Sequence, residues 1–133
     1  MQSLPLRIAP GADLREALES EFVSRGASAA FVISAIGSLS ATCLRFAGAA
    51  EATRVEGPVE ILTLAGSLSA DGAHLHMSVA DATGRVSGGH VAHGCLVRTT
   101  AEVLVVLMAE WSFARELDPA TGYRELVVRA QRA

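Results

Sequence analysis

Apolar residues recur along this chain at two spacings, and the spacing changes early. Leu14, Ala17, Leu18 and Phe22 fall three or four apart, with Arg15, Glu19 and Ser20 on the opposite side. That is the stripe of an amphipathic helix. Asp13 precedes the stripe as an N-cap, Glu16 stands three residues on as a capping-box partner, and Gly26 supplies the stop. A helix is predicted over residues 13–25. Everything else reads as strand. A short strand is expected over 4–9, ended by Pro10-Gly11. The nearly continuous apolar run 29–36 suggests a strand covered on both faces, turned by Gly37-Ser38 into a second strand over 39–47. Residues 48–57 read as a loop and 58–68 as a strand, with Gly66 as a bulge or bend. Asp71-Gly72 signals a hairpin into the strand carrying His74, and residues 81–84 turn out of it. A turn at Gly88-Gly89 and a further strand follow within 86–97. Thr and Val enrichment makes 99–108 a strand, 111–117 is mixed, and the turn 118–122 leads to a last strand over 123–128. One early helix and many strands give an α+β fold with a largely antiparallel sheet.

The chemistry concentrates between His74 and Glu102, a stretch that holds all 4 histidines. His74 and His76 are alternate residues of one strand, so both imidazoles project from the same face, roughly 7 Å apart at Cβ. His90 follows two glycines that permit a sharp turn. Three imidazoles with an open fourth position form the ligand set of many catalytic zinc sites, although iron, nickel and copper also take imidazole. Single histidines are more often satisfied by hydrogen bonds alone, and His93, three residues beyond His90, is placed outside the ligand set. Glu102 sits in an otherwise apolar run. A buried carboxylate needs a partner or a task, so Glu102, and less strongly Glu60, is a candidate acid or base, or one half of a buried ion pair. Arg98 and Arg124 are candidate anchors for an anion, or partners for these acids.

Totals narrow the field. With 133 residues, half of them hydrophobic, the chain reads as one domain over 1–133 with apolar surface to spare for self-association. No apolar run reaches bilayer length, and the start lacks the basic-then-apolar pattern of a signal peptide, so a cytoplasmic protein is expected. Cys43 and Cys95 form no CxxC pair and read as reduced thiols. The net charge is −3, there is no lysine, and the 11 arginines are scattered, with only Arg129 to Arg132 approaching a cluster. That composition argues against a dedicated DNA binder, which must neutralise phosphates. It also removes Schiff-base and P-loop chemistry. No GxSxG surrounds any serine.

Four segments in order, ISAIGSLSATCLRF, GPVEILTLAGSLS, HLHMSVADATGRVSGGHVAHGCLVRTTAEVLVV and FARELDPATGYRELVV, resemble the "plants and prokaryotes conserved" (PPC) domain. The resemblance spans nearly the whole chain. It implies a strongly bent antiparallel sheet, assembly as a homotrimer, and a metal site at His74, His76 and His90. It also implies similarity of fold to alpha-acetolactate decarboxylase, a zinc enzyme with a three-histidine site. The family is widely labelled DNA-binding because plant members carry AT-hooks beside the domain; this chain has no RGRP hook and no basic arm. The expectation is a trimeric, metal-binding module for a ligand or partner. The alternative is a zinc-type lyase or hydrolase acting on a small anionic substrate.

Overall fold

The computed structural model describes residues 1–131, so Arg132 of the basic tail lies outside the described residues. The strands are β1 (Gln2–Ile8), β2 (Ala30–Arg45), β3 (Thr53–Ser69), β4 (Gly72–Asp81), β5 (Val86–Val91), β6 (Leu96–Leu107), β7 (Trp111–Leu117) and β8 (Arg124–Ala130), with one helix, α1 (Leu14–Ser24). Six strands form one sheet in the order β1-β6-β2-β3-β4-β5, and β7-β8 is a separate hairpin. Every named strand pairing is antiparallel.

The long strand β2 bends the sheet. Its first part pairs with β6 as far as Ala41↔Leu96, and its last part pairs with β5 through Leu44↔Val91 and Arg45↔His90. Its other edge pairs with β3, from Ala30↔Leu68 to Val32↔Gly66 and again from Gly37↔Ile61 to Leu44↔Thr53. β2, β3, β4 and β5 therefore close on themselves, and that closure brings His90 of β5 onto Arg45 at the end of β2. Helix α1 covers the inner face. Asp13 caps it, accepting from the Glu16 N–H at 3.0 Å, as the sequence predicts, and Leu14, Leu18 and Phe22 are buried. They pack with Leu39, Leu64, Leu75, Val79 and Val97 of the strands into one core.

Several expectations need correction. Gly37-Ser38 is no turn: β2 runs straight through it. A Cβ at Gly37 would meet the Thr100 carbonyl oxygen at 2.4 Å, so the glycine serves the close approach of β6. Gly88-Gly89 is likewise extended strand, wedged so tightly that Cβ atoms there would lie 2.7 Å from the Met77 and Arg45 carbonyl oxygens. The loop at 48–57 is shorter than expected, because β3 already begins at Thr53. The apolar run of β2 is covered on one face only. Ile33 and Ile36 are exposed, as are Leu62 of β3 and Leu104 of β6. Finally, the mixed segment 111–117 is strand, because its partner β8 supplies a register that local pattern does not reveal.

Candidate metal centre

β4 and β5 bring the three histidines together. His76 lies directly opposite His90 across the pair, and His74 is two residues along the same face of β4. The His74 and His76 Nε2 atoms are 3.2 Å apart. The ring centroids lie 5.0 Å apart for His74–His76 and His74–His90, and 5.7 Å for His76–His90. One nitrogen of each ring falls within 4.8 Å of the others. Two nitrogens sharing a tetrahedral zinc ion at ~2.0–2.1 Å stand about 3.3 Å apart. The His74–His76 separation matches that edge.

The backbone is built to allow this. Gly66 pairs with Leu75, between the two β4 histidines, at φ +152°. A Cβ there would sit 1.9 Å from the His74 carbonyl oxygen. Gly88 and Gly89 play the same role for β5, and the absence of side chains at these contacts lets β3, β4, β5 and β2 pack tightly around the histidines.

The environment favours the neutral form of His90 and of His74. Burial, followed by the charge of His74 and then of Arg45 and Arg15, pushes His90 down to about 4. Burial and then Arg115 lower His74 below its ordinary value. A neutral imidazole is the form that ligates a metal. His90 Nδ1 is buried and has no hydrogen-bond partner. Buried polar nitrogens are normally paired, so this atom is one whose missing partner an ion would supply. The donor set and the unsatisfied atom both fit a divalent transition metal. A hydrogen bond between His74 and His76 accounts for two of the rings but leaves the third unexplained.

Two clefts meet at the centre. One, about 510 Å³, is lined by His74 and His90 together with Arg15, Arg45, Arg115 and Arg124. The other, about 670 Å³, runs from His74 and His76 along Phe31, Ile33, Ala65 and Leu126. Arg115 and Glu125 line both. The arginines are held in place. Arg15 donates to Glu19 at 2.9 Å and to the Val91 carbonyl at 3.0 Å. Arg115 donates to Ser67 Oγ at 2.7 Å, and Arg124 to the Arg115 carbonyl at 2.6 Å.

Of the residues singled out in the sequence, His74, His76, His90 and Arg124 come together. Glu102, Glu60 and Arg98 do not. Glu102 is exposed on the outer face of β6, in a groove with Arg7, Ile36 and Leu104, so it is not the buried carboxylate that its apolar neighbours suggested. Its neighbours Ala101 and Val103 face the core and the strand alternates. Glu60 and Arg98 share a separate shallow depression. His93 faces Asp13 at 3.7 Å and Glu19 at 3.8 Å, outside the ligand group. Pattern reading missed Arg15, Arg45, Arg115 and Glu125. They reach the centre from α1, the end of β2 and the β7-β8 hairpin, and only the β2–β5 closure and the docking of that hairpin bring them there.

The family profile of the Plants and Prokaryotes Conserved (PCC) domain matches residues 1–108. The chain belongs to this family. The fold is very similar to that of a hypothetical protein from Salmonella cholerae-suis, with 33% identity, a TM-score of 0.96, and coverage of 98% of this chain and 95% of the other. A protein named metal-containing, from Archaeoglobus fulgidus, is 27% identical with a TM-score of 0.76, covering 96% of this chain and 94% of the other. A Bacteroides thetaiotaomicron protein named provisionally as DNA-binding is 20% identical with a TM-score of 0.83, covering 94% and 91%; at that identity it bears on fold alone. The chain is also 50% identical, over 122 residues, to the bifunctional protein GlmU of Synechococcus sp. strain JA-3-3Ab. That match takes in 92% of this chain but 20% of the relative, so the chain spans about a fifth of that protein's length. No helix among the described residues is long and apolar enough to cross a membrane.

Proposed function

We propose that this PCC domain is a metal-dependent binding module for a small anionic ligand. His74, His76 and His90 hold a divalent transition metal, zinc being the first choice for a three-imidazole set. The observation that carries the reading is the convergence of three imidazoles, one of which, His90, has a buried Nδ1 without a hydrogen-bond partner. The ligand's charge is inferred from the cleft: four arginines against Asp71 and Glu125 leave it cationic before any ion is added. The name of the Archaeoglobus relative supports a metal, and the match inside a much longer cyanobacterial protein supports a module that works beside other domains. The exposed apolar residues Ile36 of β2, Leu62 of β3 and Leu104 of β6 support homotrimer assembly, and the two free thiols suit the cytoplasm.

A second reading has one observation in its favour. Glu125 lines both clefts beside the centre, and Thr121 Oγ1 donates to its Oε1 at 3.0 Å. In a zinc-type lyase or hydrolase the ion would acidify a bound water or polarise a substrate oxygen. Glu125, rather than Glu102 or Glu60, would then move the proton, and Arg124 with Arg115 would hold the anion. Direct DNA binding is the weakest of the three, because the centre's arginines are spread around a concave cleft and the chain is acidic overall.

The test is calorimetric titration of glycolate and of inorganic phosphate into zinc-loaded and chelator-treated protein. Binding by the loaded form alone supports the module. Equal binding by both forms, or by neither, refutes it. Duplex DNA titrated at physiological salt is expected to give no signal.

A further inference from the structure

The two clefts differ in chemistry, and that difference says more about the ligand than its charge. The 510 Å³ cleft presents guanidinium groups from separate elements: α1, β2 and the β7-β8 hairpin. The 670 Å³ cleft is apolar beyond Ser67, His74, His76, Arg115 and Glu125. Its far wall is Phe31, Ile33 and Leu126, with Ala65 and Gly66 leaving the floor open. Phe31 is braced edge-on against Phe113, with ring centroids 5.4 Å apart, so this wall is not a loose side chain. Leu126 on β8 is half-buried although its strand belongs to a two-stranded hairpin. His74, Arg115 and Glu125 line both clefts, so they are two arms of one space and the histidine centre sits at the bend. Each arm alone falls within the ~300–1,000 Å³ of ordinary ligand sites.

We infer that the ligand is an anionic amphiphile: a carboxylate or phosphate head bound at the metal and arginine arm, carrying an aliphatic tail that lies along Phe31, Ile33 and Leu126. The inference rests on the metal-dependent anion site proposed above and adds the second half of the ligand. Apolar side chains left open beside a charged centre are covered by water in the empty state. Placing a hydrocarbon chain over them removes both surfaces from water, and each methylene so buried tightens binding by about fourfold. A purely polar anion would leave that wall wet. The same wall selects against a tail with its own charge, because Phe31, Ile33 and Leu126 offer a buried charge no polar side-chain partner. Ala65 sets the depth, since its small side chain keeps the apolar arm open.

The probes are two homologous series, straight-chain 2-hydroxycarboxylates and monoalkyl phosphates, each with two, four and six carbons. They are titrated calorimetrically into the zinc-loaded full chain. The expected result is a rise in affinity of about fourfold per methylene in at least one series. Which series shows the steeper rise identifies the head. Ala65→Ile fills the apolar arm and Leu126→Asp places a charge on its wall; both are expected to flatten the dependence on chain length while metal content, measured on the same samples, stays at the wild-type level. Should either variant lose metal or fold, the wild-type series alone decides. Equal affinity for all chain lengths in both series overturns the amphiphile inference and leaves the anion site standing. No binding of any probe to metal-loaded protein overturns both. Failure of the chain to take up zinc overturns the site itself.

Discussion

Gly66 offers a sharp test of how the histidine centre is built. Two costs apply to Gly66→Ala, and other glycines separate them. Gly57 lies at φ +120°, and a Cβ added there would have nothing within 4 Å, so Gly57→Ala carries conformational strain alone. That is worth about 1–2 kcal/mol for a side chain in a region open mainly to glycine. Gly88 has no such φ but its Cβ would lie 2.7 Å from the Met77 carbonyl oxygen, so Gly88→Ala carries the contact alone, about 1–3 kcal/mol for an overpacked interior. Gly66 carries both, with its contact at 1.9 Å, against rigid backbone rather than a side chain that could swing away. Gly66→Ala should therefore cost about 2–5 kcal/mol, the sum of the two effects. In a chain of 133 residues that lowers Tm by roughly 7–18 °C. Thermal and denaturant unfolding of the three metal-free variants measures the series. Because the clash falls on the His74 carbonyl, Gly66→Ala should also lose metal affinity, whereas Gly57→Ala should keep it. A Gly66→Ala variant as stable as Gly57→Ala, or one that binds zinc like wild type, would refute the claim that β3 and β4 must touch here for the imidazoles to converge.

Further outcomes follow from individual contacts. Asp13→Ala removes the helix cap and the acceptor for the Gly94 N–H, and should cost about 1–2 kcal/mol by denaturant midpoint. In metal-free protein His90 is held at about 4 when folded and titrates near 6.5 when unfolded. The unfolded chain therefore takes up the proton first, and stability is lost as pH falls from about 6.5 to about 4. At full weight the shift is worth about 3 kcal/mol; discounted for the ring's partial exposure it is about 1–2 kcal/mol, readable as a drop in Tm that His90→Gln should abolish. Arg45→Gln together with Arg124→Gln should weaken glycolate or phosphate binding by about tenfold or more while zinc content is unchanged, measured by calorimetry. Glu102→Gln, on the exposed face of β6, should change neither zinc content nor anion affinity.

What could be read from the sequence follows from how local each signal is. The helix, its Asp13 cap and the Asp71-Gly72 hairpin depend on spacing within a few residues, and they stand where expected. The pair His74 and His76 was legible for the same reason, because strand alternation fixes their common face. His90 was singled out by the two glycines before it and by the family resemblance. The reason offered for it, a turn at Gly88-Gly89, is incorrect: those glycines exist because β2 and β4 press on β5 from both edges. A glycine chosen for close approach and one chosen for a turn look alike in a sequence. Gly37 misled in the same way. Glu102 failed for another reason. An apolar run suggests burial on both faces, but the outer face of β6 is open, as Leu104 shows. Arg15, Arg45, Arg115 and Glu125 were beyond reach, because they converge only through the closure of β2 onto β5 and the placement of the β7-β8 hairpin.

The most direct test of the centre is its metal content. Untagged protein purified without added metal, before and after exposure to zinc, would be compared with His90→Ala by elemental mass spectrometry. A three-histidine site predicts about one ion per chain in the wild type and loss of that ion in the variant. Absence of metal from the wild type even after zinc is supplied, or an equal content in His90→Ala, would contradict it and return the three imidazoles to a purely structural role.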